Sequence, residues 1–480
     1  MKTKNKNTGK TSKKKNREIM LVTWAFTLLF LCMAGYIIHY SATNRQELIN
    51  NSYNGRQQTL LAQNRRGSIY SAEGSVLART TVDEEGNEKR EYPYQNLFSH
   101  VVGYATNGKM GIEAQANYYL INSGAPLSQK AALDVSGEKY PGDDVYTTLN
   151  VELQQVASTA LGIYQGAIIV TEPDTGKVLA MVSKPDFNPE EIPNIWEELI
   201  QDEESSILLN RVTQGLYPPG STFKIVTALE YIRENPDTYQ NYSYNCTGAI
   251  TRGEDRIQCY HGSVHGSVSF KKSFAKSCNT SFANIGLSLD KVAFADTLED
   301  LLFNQSLSLS FNTGISRVEV SEKTSESEMM QISIGQGTTS ITPLQLNMIT
   351  CAIANKGTLM KPYIVDYVQN SAGSKIKTFN PSVYAKLMET QEAEILRGLM
   401  SDVVEEGTAT RLKGLSYTAA GKTGSAEYGT VKGDSHAWFT GFAPAEEPQV
   451  CVTIIIEGAG AGGDYAVPIA KRIFDAYFGE

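Results

Sequence analysis

Three short runs in this sequence hold residues able to move an acyl group. Ser221 and Lys224 stand three apart in YPPGSTFK, and Ser277 and Asn279 stand two apart in KSCNTSF. Lys422, Thr423, Gly424 and Ser425 are consecutive in AGKTGSAE. A serine hydroxyl is a poor nucleophile until a base takes its proton. No histidine lies near Ser221 in sequence, so a lysine must serve, and it serves only when neutral. Burial and a second cation both depress a lysine's pKa. Lys422 is that second cation if its strand lies beside the Ser221 helix. Ser277 is suited to relay a proton between Lys224 and a leaving amine, and Asn279 to hold a substrate amide. An oxyanion hole needs two converging donors, for which the N–H groups of Ser221 and Ser425 are candidates.

Each run is weak alone. Ser-x-x-Lys also occurs at Ser12–Lys15, Ser269–Lys272, Ser273–Lys276 and Ser374–Lys377, and Ser-x-Asn at Ser52–Asn54, Ser243–Asn245 and Ser310–Asn312. Context separates Ser221 from these. It follows Pro218–Pro219–Gly220, which cannot continue a helix, and it opens the apolar segment STFKIVTALEYI, which can form one. Lys224 then shares a helical face with Ser221. Gly421–Lys422–Thr423 raises the question of a phosphate loop, but that pattern needs Gly where Ser416 stands, and the flanks read as strand. On a strand, Lys422 offers charge, Gly424 permits close backbone approach and Ser425 offers a hydroxyl.

The elements that must hold these runs are legible from periodicity. TTLNVELQQVASTALGIY has apolar residues at helical spacing, and GAIIVTEPDTGKVLAMVSKP reads as a hairpin turning at Pro173–Asp174–Thr175–Gly176. The stretch onward to about residue 410 reads as mainly helical with loops. TAAGKTGSAE, HAWFTGFAP and VCVTIIIEG read as strands, and AVPIAKRIFDAYF as a closing helix. Strands at both ends with helices between predict an α+β domain whose sheet joins its termini.

With 480 residues the chain exceeds one hydrophobic core, and its 41% hydrophobic content is that of a folded protein. The formal charge is −9, while residues 1–18 hold seven lysines and Arg17 against Glu18 alone. The remainder is therefore acidic, which argues against nucleic-acid binding. Ile19 to Ile38 is a run of twenty residues without a charge. It is long enough to cross about 30 Å of hydrocarbon. The lysines before it place the N-terminus in the cytoplasm, and everything after about residue 40 outside. Six cysteines, Cys32, Cys246, Cys259, Cys278, Cys351 and Cys451, include no C-x-x-C. In an oxidising compartment Cys246 and Cys259 are a candidate disulfide. His261 and His265 flank Gly262 in YHGSVHGSV and read as loop residues rather than metal ligands.

The ordered set STFK, SCN and KTGS resembles the SxxK, SxN and KTG marks of penicillin-binding proteins and serine β-lactamases. KSCNTSFANIG, SIGQGTTSITPLQL, ANKGTLMKP and HAWFTGFAP resemble the family as well. Upstream, RRGSIYSAEGSVLA and GKMGIEAQANYYL resemble the pedestal of its class B, monofunctional members; that motif usually has an acidic–basic pair where Ser71–Ala72 stands here. The resemblance implies a basic tail (residues 1–18), a transmembrane helix (19–40), an elongated pedestal domain (41–145) and a transpeptidase domain (146–480). The last would be an antiparallel sheet flanked by helices with an all-helical subdomain. The implied activity is D,D-transpeptidation of peptidoglycan, with Ser221 as nucleophile, Lys224 as base and Ser277 as relay. Asn279, Lys422, Thr423, Gly424 and Ser425 would bind stem peptides ending in D-Ala-D-Ala, and β-lactams in their place. No metal or organic cofactor is implied, and a membrane glycan polymerase of the SEDS type is the implied partner. The alternatives are a D,D-carboxypeptidase or β-lactamase handing the acyl group to water, a β-lactam sensor, or a catalytically silent scaffold.

Overall fold

The computed structural model describes residues 8–43, 56–202, 205–253, 255–428 and 434–479. The chain divides into two compact units between Gln63 and Asn64. In the first, residues Thr8–Thr43 form one helix of 36 residues. Its stretch Arg17–Ser41 is long and apolar enough to cross a membrane, with a mean hydropathy of 2.1 and none of it buried. The lysines at positions 2, 4 and 6 and the Ser52–Asn54 match lie outside the described residues.

Among its described residues the second unit carries two large sheets and four two-stranded ones. A five-stranded antiparallel sheet runs in the order Ala420–Glu427, Ser435–Ala443, Val450–Ile456, Gly166–Thr171, Val178–Lys184. The predicted hairpin and the three predicted C-terminal strands thus meet in one sheet, which joins the two ends of the domain. Its inner strands are buried along their whole length, because helices cover both faces. Val151–Leu161 and Gly462–Phe478 pack together on one face, and Pro343–Ala354 packs on the other. The second face carries a hydroxyl ladder, Thr350 to Thr440 at 2.6 Å and Thr440 to Thr453 at 2.7 Å, so buried oxygens there satisfy each other. The strand Ala420–Glu427 pairs on one side only, with Ser435–Ala443, and is the sheet's edge.

A six-stranded sheet runs Lys375–Thr378, Val365–Gln369, Asp144–Thr147, Ile69–Tyr70, Val76–Val82, Glu88–Glu91. Asp144–Thr147 straddles the expected pedestal boundary at 145/146 and pairs with Val365–Gln369, so later residues contribute strands to the pedestal sheet. Below it, buried Glu113 joins two arginines: Arg66 at 2.5 Å and Arg90 at 2.7 Å. The Tyr92 hydroxyl donates to the same carboxylate at 3.2 Å.

The middle of the chain departs from the helical expectation. Beside its helices it carries an arm of four short strands, Ser243–Cys246, Ala249–Arg252, Asp255–Gln258 and Gly266–Ser269. The first pairs with the fourth, and the second with the third. Strands of four residues with mostly exposed side chains leave almost no alternation for sequence to reveal.

Candidate active site

Pro218–Pro219–Gly220 turns the chain into a short 3-10 turn, Gly220–Phe223, which continues as the α-helix Lys224–Glu234. Gly220 has φ 54°, a left-handed conformation that costs glycine little. A Cβ at Gly220 would meet the Ser425 carbonyl at 2.8 Å, so this glycine lets the turn lie against the edge strand. Gly424 does the same from the other side, its Cβ position lying 3.0 Å from the Pro219 carbonyl. Trp438 on the neighbouring strand donates Nε1–H to the Pro218 carbonyl at 3.1 Å and ties sheet to turn. Ser221 and Ser425 are thereby brought onto one cleft of about 450 Å³, together with Ser277, Asn279, Thr423 and Gly424. In a cleft of about 470 Å³ elsewhere, near Glu73 and Tyr367, the Thr147 and Thr148 hydroxyls donate to backbone carbonyls rather than to a base, so chemistry rather than volume identifies the site.

Lys224 is fully buried. Its Nζ lies 3.0 Å from Ser221 Oγ, 2.7 Å from the Ser277 carbonyl, 2.7 Å from Asn279 Oδ1 and 3.2 Å from Ser277 Oγ. A neutral amine fits these partners: two hydrogens serve the two carbonyl-type oxygens, leaving a lone pair for a hydroxyl. Burial brings the Lys224 pKa down to about 7, against the opposing pull of Cys278 and Cys259. Lys422 is also fully buried, with Nζ 2.9 Å from Ser277 Oγ and 3.1 Å from the Thr423 carbonyl. Burial, reinforced by the nearby charge of Lys224, holds it well below 10.5. Two buried amines this close do not both stay charged.

Ser277 has φ 54°, uncommon for a residue with a side chain. That conformation aims both its carbonyl and its hydroxyl at Lys224. Cys278 turns the other way, into the protein, and Asn279 opens the helix Asn279–Ser288. Asn279 Nδ2 donates to the Gln258 carbonyl at 2.9 Å, so one amide hydrogen is committed to the arm.

All eight residues singled out by sequence meet here, but Lys224 and Lys422 lie beneath the cleft wall rather than in it. Sequence missed Tyr260, Ser263 and His265 from the arm, and Thr408, Thr410 and Arg411 opposite. Thr408 Oγ1 hydrogen-bonds Thr423 Oγ1. The available signal for the second group was Gly407 followed by two alternating hydroxyls, since a Cβ at Gly407 would meet the Ala275 carbonyl at 2.3 Å. Cys246 and Cys259 are free thiols, their sulfurs 3.7 Å apart, not the expected disulfide.

Comparison with known proteins agrees with this architecture. Residues 166–475 match the penicillin binding protein transpeptidase domain, and residues 66–145 the penicillin binding protein A dimerisation domain. The peptidoglycan D,D-transpeptidase PbpA of Mycolicibacterium smegmatis is 31% identical over 445 residues, covering 86% of this chain and 88% of the relative. The crystal structure of the D,D-transpeptidase domain of a peptidoglycan glycosyltransferase from Eggerthella lenta superposes with a TM-score of 0.78. It is 30% identical, and the match covers 87% of this chain and 99% of that one. Penicillin-binding protein A from M. tuberculosis, solved as its penicillin G acyl-enzyme, superposes with a TM-score of 0.78 at 27% identity, covering 86% and 100%. The chain belongs to the penicillin-binding protein transpeptidase family.

Proposed function

We propose that this chain is a serine-type peptidoglycan D,D-transpeptidase in which Ser221 is the nucleophile and Lys224 its base. One observation carries the assignment of roles: a fully buried lysine, its pKa near neutrality, lies 3.0 Å from a serine hydroxyl on an open cleft. Lys224 takes the Ser221 proton as Oγ bonds to the carbonyl carbon of the penultimate D-Ala. The Ser221 and Ser425 N–H groups receive the developing oxyanion. The C–N bond breaks, and terminal D-Ala leaves with a proton delivered through Ser277. An amine on a neighbouring stem then attacks the ester and restores the Ser221 hydroxyl. The edge strand Ala420–Glu427 has a free side along which the stem lies as an added strand.

The stem's terminal carboxylate rests against the hydroxyls of Thr423, Ser425 and Thr408. Lys422 supplies positive potential from below rather than a direct contact. Asn279 orients the stem amide with its remaining amide hydrogen. A β-lactam occupies the same place and leaves Ser221 acylated, as in the penicillin G complex of the M. tuberculosis relative. The sequence boundaries (pedestal 41–145, transpeptidase 146–480) and a cytoplasmic N-terminus complete the reading. So does a SEDS-type glycan polymerase engaged through anchor and pedestal. Support for these comes from the lysines ahead of the apolar helix and from the family resemblance.

The test is labelling with fluorescent penicillin, then identification of the acylated peptide. The peptide containing Ser221 carries the label, and Ser221→Ala abolishes it. Persistent labelling of Ser221→Ala would sink the assignment. Incubation with a pentapeptide and an acceptor amine yields cross-linked product by mass spectrometry; hydrolysed tetrapeptide alone would make the protein a carboxypeptidase.

A further inference from the structure

Behind the Ser277–Asn279 turn, four side chains converge that the acyl-transfer chemistry does not use. The sulfurs of Cys246, Cys259 and Cys278 and a ring nitrogen of His265 all lie within 4.8 Å of one another. We propose that these four residues form a closed zinc site that staples the 243–269 arm to the catalytic turn.

Three of the six ligand–ligand distances match a tetrahedron, and the others lie within 4.8 Å. Ligands around zinc at about 2.3 Å for sulfur and about 2.0 Å for nitrogen stand about 3.8 Å apart sulfur to sulfur, and about 3.5 Å sulfur to nitrogen. Cys246 and Cys259 Sγ are 3.7 Å apart, Cys259 and Cys278 Sγ 3.8 Å, and Cys246 Sγ lies 3.4 Å from His265 Nδ1. A disulfide needs about 2.05 Å and would use only two of the three thiols, leaving the third and the imidazole unexplained. Ordinary apolar packing explains the cluster no better. The three cysteines are buried, yet among the described residues the one hydrophobic side chain packed against them is Tyr244, where a core would supply aliphatic side chains. Above the sulfurs sits Thr280, its Oγ1 lying 3.2 Å from Cys246 Sγ, 3.4 Å from Cys278 Sγ and 3.6 Å from Cys259 Sγ. A hydroxyl aimed at sulfur is the outer-layer donor that thiolate ligands recruit.

The arm also needs such a staple. Among its described residues only Cys246, Ile250, Cys259 and Val268 are buried apolar side chains. So small a unit has no core of its own, and a metal or disulfide is how such units are held. The fold places the ligands accordingly. Cys246 ends the first strand, and His265 immediately precedes Gly266, the residue paired with Cys246 on the fourth. Cys259 is fixed by its N–H to the Gly248 carbonyl at 3.0 Å, and Cys278 is the residue just before the helix Asn279–Ser288. Three thiolates and an imidazole, with no carboxylate and no position left for substrate, select zinc in a structural role. Binding releases three thiol protons to solvent as three Zn–S bonds form.

The consequence is catalytic positioning. Cys278 lies between Ser277 and Asn279, and Asn279 Nδ2 is held by the carbonyl of Gln258, next to Cys259. Zinc at Cys278 and Cys259 therefore fixes both sides of that contact and the cleft wall formed by Tyr260, Ser263 and His265.

The test uses the full chain, purified in detergent under reducing conditions and without chelator. Elemental analysis should find one zinc per chain, and X-ray absorption should show three sulfurs at about 2.3 Å and one nitrogen at about 2.0 Å. Cys259→Ser and His265→Ala should lose that zinc. Because a variant can misfold, the wild-type protein is also stripped with chelator and reconstituted. Fluorescent-penicillin labelling should slow about tenfold on stripping and recover with zinc, as expected for a displaced catalytic turn. Absence of zinc both as purified and after reconstitution, zinc lost on simple dialysis, or a Cys246–Cys259 disulfide in a peptide map would each overturn the site. Unchanged labelling of stripped protein would overturn its positioning role. Metal content is read independently of transpeptidation, so failure here and failure of the functional assignment are distinguishable.

Discussion

Ser277 Oγ lies 2.9 Å from Lys422 Nζ and 3.2 Å from Lys224 Nζ, so one hydroxyl bridges the two buried amines of the site. A proton leaving Ser221 for Lys224 has an immediate onward route through Ser277, and a charge on either lysine is felt by the other. Ser277→Ala removes the bridge while leaving the carbonyl that holds Lys224. The expected result is a loss of roughly 10²–10⁴-fold in the second-order rate of acylation by penicillin, the range for a positioned proton-transfer group. Far-ultraviolet circular dichroism should be unchanged. An acylation rate within a factor of about three of wild type would remove Ser277 from the proton path.

The base must be neutral to act, and burial sets the Lys224 pKa at about 7. Acylation by a β-lactam with no titrating group of its own should rise with pH through about 7 and level above it. Lys224→Arg should be inactive across the range, because guanidinium does not give up its proton. A flat profile across neutral pH would assign the base elsewhere.

The same depressed pKa has a stability consequence with a definite sign. Lysine in the unfolded chain titrates near 10.5, against about 7 for Lys224 in the fold. Between those values unfolding takes up a proton, so this group's contribution to stability rises with pH and its penalty is greatest below about 7. Lys224→Met lacks the penalty. Its melting temperature relative to wild type should fall steadily as pH rises from about 7 towards 10.5, in thermal melts of the two proteins side by side. A constant offset would show that Lys224 is protonated in the folded state throughout.

How far sequence reached depended on distance along the chain. Ser221 with Lys224, and Ser277 with Asn279, are local pairs whose turn and helix context is written in adjacent residues. The sheet uniting residues 166–184 with 420–456 was legible because four of its five strands are mainly apolar runs. Arg66 and Glu113 were not, being 47 positions apart and joined only by the pedestal's fold. Arg66 lies inside the pedestal motif, but its acidic partner comes from a distant helix rather than from the Ser71–Ala72 position where a local pair is usual. Cys246, Cys259, His265 and Cys278 are likewise scattered, without a C-x-x-C. They converge only after short, exposed strands fold back on the catalytic turn. Lys422 was assigned to the ligand itself because sequence does not distinguish a residue in the wall from one beneath it.

Gly424 tests whether the edge strand must lie this close to the nucleophile. A Cβ there would meet the Pro219 carbonyl at 3.0 Å, Thr222 Cγ2 at 3.0 Å and Trp438 Cβ at 3.1 Å. Backbone on one side and the Cβ of fully buried Trp438 on the other must give by a few tenths of an ångström, so Gly424→Ala should push the Ser425 N–H away from Ser221. Acylation should fall by about tenfold, less than the roughly 10²-fold that 1 Å of misplacement costs. Retained cooperative melting would show that the fold survives, and a rate equal to wild type would separate strand spacing from the oxyanion hole.

Glu113 is completely buried; burial is the largest single effect and pushes its carboxyl up, but the charges and hydrogen bonds of Arg66 and Arg90 together outweigh it and hold the carboxyl below the usual range. Removing its charge strands two guanidinium groups away from water. Glu113→Gln should therefore destabilise the protein by about 3–5 kcal/mol, as expected when one partner of a buried ion cluster is lost. Chemical denaturation measures this directly. Glu113 sits in the pedestal and not in the catalytic cleft, so the variant should still label with fluorescent penicillin at low temperature. Its labelling should fail on warming, well before wild type does. A variant as stable as wild type would mean that the arginines find other partners, and that the cluster fixes the pedestal's shape without stabilising it.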